Sequence, residues 1–160
     1  EGTLVPERLF ALGAFILPLI AHDPFARFII NPGDITLDSD IILDSAIRLG
    51  DDYRFTVTGP DVVEVNNFGT LASDPEIVVE GSFTTLSITA NGKTFGYNSP
   101  IYGQTLIIDG EKMKVKLGGT NVLLHMTGHF VGLLPGINNV TISGTGLNCT
   151  VSFNFKPRYA

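Results

Sequence analysis

The amino-acid sequence predicts an all-β fold, an antiparallel β-sandwich with little helix. From about residue 53 onward, short runs alternate apolar and polar residues with the two-residue period of half-buried strands. Turn sequences such as Asn91-Gly92 separate these runs, and no run has the spacing of an amphipathic helix. The 18 glycines and 9 prolines also suit many short strands joined by tight turns.

The predicted strands are short and lie close together in the sequence. In chain order they cover residues 53–57, 62–65, 77–79, 83–89, 93–97, 105–108, 112–117, 140–142 and 150–155. Asn91-Gly92 predicts a two-residue hairpin in which both residues have positive φ, and Asp109-Gly110 predicts a second hairpin of the same kind. In the strand at 112–117, lysines alternate with Met113, Val115 and Leu117, which predicts one buried and one cationic face.

A turn is also predicted at residues 134–137, where an apolar run stops and an alternating strand begins. Proline sets φ at the second position of a turn, and glycine supplies positive φ at the third, so Pro135-Gly136 predicts a type II turn. Asn138 follows at the start of the next strand, where its side chain is expected to bond to nearby backbone groups.

The length of 160 residues fits one domain with a sizeable core. We expect residues 53–160 to form the sandwich and residues 1–52 to be an N-terminal extension or the remnant of a preceding β-domain. The apolar stretch at 9–21 is too short to span a membrane and contains Gly13 and Pro18, so it is interpreted as a buried strand or interface segment. The lone Cys149 lies in an alternating segment and is predicted to be a buried, reduced thiol.

Charge excludes nucleic acid as a partner, since the formal net charge is −6 and a phosphate binder needs a basic surface. The charges are also unevenly placed. Residues 1–90 contain 14 acidic and 4 basic residues, whereas residues 91–160 contain 2 acidic and 6 basic residues. The two halves could stack on neighbouring subunits through opposite charge, or they could simply form two faces of one sandwich that differ in charge.

A tandem repeat, "DITLDS" followed by "DIILDS", places four carboxylates close together at Asp34, Asp38, Asp40 and Asp44. Carboxylate oxygens are the ligands that Ca²⁺ prefers, so these residues are weak candidates for a metal site. The repeat lacks the glycine and the distal glutamate of an EF-hand loop. The alternative is that the aspartates protect an exposed edge strand from aggregation.

The sequence contains no catalytic constellation. His125 and His129 have the spacing of two zinc ligands on a helix, but Gly128 interrupts a segment that is otherwise typical of a strand. Tyr97 and Tyr102 are weak candidates for a platform on which a sugar could stack, although sugar sites most often use tryptophan and this chain has none. We therefore expect a protein that is not an enzyme and needs no cofactor.

Five blocks of sequence resemble, in the same order, the C-terminal half of the phage distal tail (Dit-like) protein family. The first three are "AHDPFARF", "NNFGTLASDPEIVVEG" and "YGQTLIIDGEKMKVKLGG". The fourth is the most specific and combines Phe130, Leu133, Pro135-Gly136, Asn138 and Val140; the fifth is the closing strand that ends in Arg158-Tyr159. The resemblance extends over roughly residues 20–160, and the aspartate repeat has no counterpart in it.

The resemblance implies a galectin-like or jelly-roll-like β-sandwich attached to an N-terminal domain that forms a hexameric ring. It also implies a structural role at the virion tail tip, joining the tail tube to the hub and to receptor-binding proteins, after synthesis in the cytoplasm of the bacterial host. This chain is too short for a complete ring-forming domain, so we expect a fragment or an unusual member. The alternative function is a carbohydrate-binding module that contacts saccharide on the host surface.

Overall fold

The computed structural model describes residues 53–160 and the backbone of residues 26–27. The predicted apolar strand at 9–21 lies outside these residues. The described strands are β1 (Ala26–Arg27), β2 (Arg54–Val57), β3 (Asp61–Asn67), β4 (Glu76–Phe83), β5 (Thr85–Ala90), β6 (Lys93–Tyr97), β7 (Ile101–Asp109), β8 (Lys114–Leu117), β9 (Thr120–Asn121), β10 (Met126–Gly128), β11 (Gly136–Thr145), β12 (Asn148–Asn154) and β13 (Arg158–Tyr159). One 3-10 helix, Leu123–His125, lies between β9 and β10.

Two antiparallel sheets form the predicted β-sandwich. The five-stranded sheet has the order β10-β6-β5-β11-β3, and the six-stranded sheet has the order β2-β12-β4-β7-β8-β9. A separate pair is formed by β1 and β13. In the part of the chain described, no helix has the length and apolar character needed to cross a bilayer.

The core lies between the two sheets and is filled by the inward residues of both. Alternate positions along β4 and β12, such as Ile77, Val79 and Val151, are buried, as are Leu86 and Ile88 on β5 of the facing sheet. This is the two-residue alternation that the sequence predicted. Cys149 belongs to the same core, which confirms the prediction of a buried thiol, and burial raises its pKa.

The hairpin predicted at Asn91-Gly92 is confirmed. It joins β5 to β6, and its two central residues have φ of 50° and 75°. Both values lie in the left-handed region, which asparagine and glycine tolerate better than other residues. The local sequence was therefore sufficient to specify this turn.

The hairpin predicted at Asp109-Gly110 is wrong in detail. The strands close at the pair Asp109 and Lys114, so the turn has four residues, and its left-handed residue is Met113, with φ of 51°. Gly110 is needed for a different reason: a Cβ there would lie 2.8 Å from the carbonyl oxygen of Pro75. The predicted buried face of this strand is correspondingly shorter, because Val115 is buried whereas Met113 is exposed.

The strand predicted at 83–89 is also wrong, because the chain changes sheets within it. Phe83 ends β4 in the six-stranded sheet, and Thr85 begins β5 in the five-stranded sheet. The reverse change follows β11, and the two corners pack together, with the amide of Thr84 donating to the carbonyl of Thr145 at 2.8 Å. The buried, inward-facing residues therefore have odd numbers in β4, which ends at Phe83, and even numbers in β5, from Leu86 onward.

Residues 129–135 form a crossover that leads from the edge strand β10 past β6 and β5 to β11. The crossover is buried at Val131 and Leu133, and buried backbone groups need hydrogen-bond partners. Leu133 exchanges two backbone hydrogen bonds with Ser73, at 2.8 and 2.9 Å. The Asn67 amide also donates to the carbonyl of Leu133 at 3.1 Å, and the Asn91 amide donates to the carbonyl of Gly132 at 2.9 Å.

The buried side chain of Asn138 fixes the end of this crossover. Its Oδ1 accepts hydrogen bonds from the amide of Leu134 at 2.8 Å and from the side chain of Asn91 at 2.6 Å. Its Nδ2 lies within hydrogen-bond distance of the carbonyls of Leu134, Gly136 and Val65. The predicted local bonding of Asn138 is confirmed, and Gly136 has the positive φ expected of it, 87°.

Replacing Gly136 with valine should lower the free energy of unfolding by about 1–3 kcal/mol, because a β-branched residue is strained at positive φ. The cost is confined to the backbone, since a Cβ at residue 136 would meet no atom within 4 Å. Gly59→Val is a matched control, because that site is equally open but its φ is not in the left-handed region. Urea unfolding measures both, and equal stabilities would contradict the assignment of the turn.

Replacing Asn138 with alanine should destabilise the sandwich by on the order of 3 kcal/mol, since it removes the side-chain partner of buried and partly buried backbone groups at Val65, Leu134 and Gly136. Asn139→Ala, at the next, exposed position of the same strand, should change stability by no more than about 0.5 kcal/mol. Chemical denaturation of the two variants provides the comparison. A similar, small effect for both would show that Asn138 does not hold the crossover in place.

Candidate functional site

The two tyrosines proposed as a sugar platform do not lie on a common exposed surface. Tyr97 is only 1% exposed, and its ring packs edge-on against Phe83 in the core. Burial raises the pKa of Tyr97, and a hydrogen bond with Ser99 partly offsets this rise. Tyr102 is 75% exposed. The shared platform is therefore excluded by the position of Tyr97, whereas a role for Tyr102 in binding a ligand stays a prediction.

The metal-site candidates Asp34, Asp38, Asp40 and Asp44 lie outside the described residues, so a role for them also stays a prediction. Across residues 53–160, the structure brings together no group of three or more His, Cys, Asp or Glu side chains that could hold a metal ion. His125 ends the 3-10 helix, and its ring packs against Tyr97.

The charged residues of the sandwich are concentrated on one side. Residues 53–160 contain seven acidic and seven basic residues, so the formal net charge of −6 arises from residues 1–52. On the six-stranded sheet, Glu76 lies opposite Asp109, which lies opposite Lys114. On the same sheet, Arg54 donates to Glu80 at 2.9 Å across the intervening strand β12. This sheet therefore presents charges of both signs on its outer surface, including the Arg54–Glu80 ion pair.

The outer surface of the five-stranded sheet has a different chemistry. Its central cross-strand rows are made of small polar residues: Thr141, Thr89 and Thr94 in one row, and Ser143, Ser87, Gly96 and Thr127 in the next. A groove of about 240 Å³ runs along these rows, and its described lining contains no charged side chain. The hydroxyls of Thr89 and Thr94 bond to each other at 3.0 Å.

The most connected polar feature lies at one end of the sandwich, and we call it the terminal corner. Here β13 runs beside the segment between β3 and β4, and the guanidinium of Arg158 reaches Glu111 at 3.2 Å and Asp74 at 3.8 Å. The Arg158 side chain is only 18% exposed, so these ion pairs are less screened by water than the Arg54–Glu80 pair. Nearby, the ring of Phe155 stacks on Tyr53.

An open pocket of about 350 Å³ lies beside Arg158 at the terminal corner. Its charged lining consists of Asp74, Glu76, Asp109, Glu111, Lys112, Lys156 and Arg158. Four carboxylates and three cations make this lining nearly balanced, and ion pairs already engage several of them. Such a surface suits a partner that carries both signs of charge, as protein surfaces do.

Two groups of this pocket have shifted pKa values: the hydrogen bond with Asp109 and its charge raise the pKa of Lys112, and the pKa of Asp109 is lowered. Desolvation by burial is the largest single influence and raises its pKa. Hydrogen bonds from the backbone and side chain of Lys112, together with the charges of Lys112 and Lys114, outweigh burial and lower the pKa below 3.8. The Asp109 carboxylate accepts from the Lys112 amide at 2.9 Å and from its ammonium group at 3.1 Å, which holds the β7–β8 turn closed.

These features define an antiparallel β-sandwich domain whose polar groups hold a crossover and a corner together. Residues 68–159 match the model of the C-terminal domain of the siphovirus-type tail component family. The chain belongs to this family, as the blocks of sequence indicated. The matched region begins just after β3 and includes the crossover, Asn138 and Arg158.

A solved structure with the same fold is that of the SPP1 Dit (gp 19.1) protein, described as a paradigm of the hub adsorption apparatus in phages that infect Gram-positive bacteria. The TM-score is 0.51 at 15% sequence identity, and the likeness covers 67% of this chain. The chain spans about half of that structure, since the likeness covers 47% of its length. No curated protein sequence gives a significant match.

Sequence reasoning missed the contacts that assemble the crossover and the terminal corner. Asn67 was noted only within a block of the family resemblance and Asn91 only in a hairpin, although both also bond to the backbone of residues 132–133. Arg158 was noted only as part of the closing block. Its proximity to Glu111, 47 residues earlier, leaves no mark in the local sequence pattern. A polar residue inside an apolar alternation, as at Asn138, is the signal that could have directed attention to the network.

The lowered pKa of Asp109 predicts a pH-dependent contribution to stability. A carboxylate with a depressed folded-state pKa stabilises the protein above its ordinary pKa of 3.8, and this contribution is lost as the pH falls through the lower folded-state value. The stability difference between wild type and Asp109→Asn should therefore shrink between about pH 5 and pH 2.

Urea unfolding at a series of pH values measures this difference. Asp61→Asn serves as a control, because it removes an exposed carboxylate from the edge strand of the other sheet. A constant difference between wild type and Asp109→Asn over the whole range would contradict the role assigned to Asp109.

Proposed function

We propose that this chain is a non-enzymatic structural component of the tail tip of a siphovirus-type phage. It displays protein–protein surfaces that join the tail tube to hub or receptor-binding proteins. The observation that carries the proposal is the match of residues 68–159 to the C-terminal domain of the tail component family. The likeness of fold to a protein described as a paradigm of the hub adsorption apparatus supports the same role.

The surface chemistry supports a role in protein–protein contact. The outer surface of the six-stranded sheet and the terminal corner carry interspersed charges of both signs, which favour a partner with a complementary pattern and penalise an incorrect one. The pockets are open and shallow, whereas small-molecule sites usually enclose most of their ligand. Assembly by surface contact therefore accounts for the polar features better than the binding of a small substrate does.

The proposal includes an organisation of the chain and of its assembly. Residues 53–160 are the sandwich domain, and residues 1–52 are an N-terminal extension or the remnant of a preceding β-domain. In the full-length protein, six copies assemble into a ring that lies at the tail tip, and the protein is made in the cytoplasm of the bacterial host. Mass measurement of the full-length protein in solution tests the hexamer.

Electron microscopy of labelled virions tests the location. An epitope inserted between Gly118 and Gly119 should leave the fold intact, because this turn lies at the surface, has positive φ at both glycines and has no atom near either Cβ position. Gold-labelled antibody should then decorate the end of the tail farthest from the capsid. Virions without the insertion show the background.

Label on the capsid, or spaced regularly along the tail tube, would overturn the proposed position. Labelled virions that still adsorb to host cells would confirm that the insertion leaves the tail functional. The position of the label is then informative about the wild-type virion.

A further inference from the structure

The pair formed by β1 and β13 connects two distant parts of the sequence. Ala26 lies opposite Tyr159, and Arg27 lies opposite Arg158, in antiparallel register. The pair belongs to neither sheet of the sandwich. In the part of the chain described, β1 therefore reaches the sandwich through the last residues of the chain.

The other edge of β13 is fastened to the sandwich at the terminal corner. The amide of Leu71 donates to the carbonyl of Arg158 at 3.1 Å, and the two residues form an antiparallel bridge. The amide of Ala160 donates to the hydroxyl of Thr70 at 2.9 Å. Backbone contact here is so close that a Cβ at Gly69 would lie 2.5 Å from the Arg158 carbonyl oxygen.

The Arg158 side chain fixes the same strand from a third direction. Its guanidinium bonds to Glu111 on the β7–β8 turn and lies near Asp74, which precedes β4. Since Arg158 is largely buried, these contacts hold its backbone in place more firmly than a fully exposed ion pair would. Arg158 therefore links β1 on one edge, Leu71 on the other and the six-stranded sheet through its side chain.

We propose that residues 156–160 are a strap that fastens the backbone of residues 26–27 to the terminal corner, with Arg158 as its positioning residue. The strap sets the direction in which the chain ahead of the sandwich approaches the domain. The partner of this surface is thus a segment of the same chain, held by strand pairing. Residues 156–160 thereby control how the sandwich is oriented relative to the chain ahead of residue 26.

Hydrogen–deuterium exchange of the whole chain, followed by mass spectrometry, tests the strap. Arg158→Ala removes the side-chain contacts. Gly69→Ala adds a Cβ that clashes with the Arg158 backbone and changes no charge. Both variants should accelerate exchange at residues 26–27 by about tenfold or more, because local opening exposes paired amides. Exchange in β12, at the centre of the six-stranded sheet, should stay as in the wild type.

Glu80→Ala is the matched control, because it breaks the exposed ion pair with Arg54 far from the strap in the sequence. It should leave exchange at residues 26–27 unchanged. Unchanged exchange there in both Arg158→Ala and Gly69→Ala would overturn the proposal. An equal acceleration at residues 26–27 and in β12 would also overturn it, since β13 would then be part of the sandwich and not a separate strap.

Discussion

The need to provide hydrogen-bond partners for the backbone of the buried crossover is the constraint on which the rest of this sandwich depends. Residues 129–135 must pass from one edge of the five-stranded sheet to β11 without joining a regular strand, and Val131 and Leu133 are buried as they do so. Unpaired backbone groups there would cost as much as several lost hydrogen bonds. Asn67, Ser73 and Asn138, the buried polar residues of the described chain, all lie along this path and supply the missing partners.

The same constraint separates the structural polar groups from those left for contact. Asparagine suits the crossover because its side chain both donates and accepts without carrying a charge, and so it can be buried at modest cost. Most charged residues lie on the six-stranded sheet or at the terminal corner, where water or a partner can solvate them, whereas Asp61, Glu64 and Lys93 lie on the five-stranded sheet. The charged outer surface of the six-stranded sheet is thus distinct from the network that holds the crossover in place.

How far the sequence predicted the structure depended on whether the decisive contact was local. The Asn91-Gly92 hairpin and the positive φ of Gly136 were predicted correctly, because both depend on residues within the turn itself. The prediction of a two-residue hairpin at Asp109-Gly110 failed. Gly110 is required by its close approach to the backbone of Pro75, 35 positions away, and Asp109 bonds to Lys112. The prediction of one continuous strand at 83–89 failed for a similar reason. The strand breaks at Thr84 because the corner where the chain changes sheets there packs against a second such corner.

The sequence by itself determined the fold class and the family, because the alternation of apolar and polar residues, the turn residues and the ordered blocks are all features of the local sequence. Only the tertiary structure decided which polar residues act together. Burial of Tyr97 separated it from Tyr102, although the two are five positions apart. The tertiary fold places Arg158 beside Glu111, Asp74 and the backbone of residue 27. These contacts depend on how strands from distant parts of the sequence come together, and no period in the sequence records that arrangement.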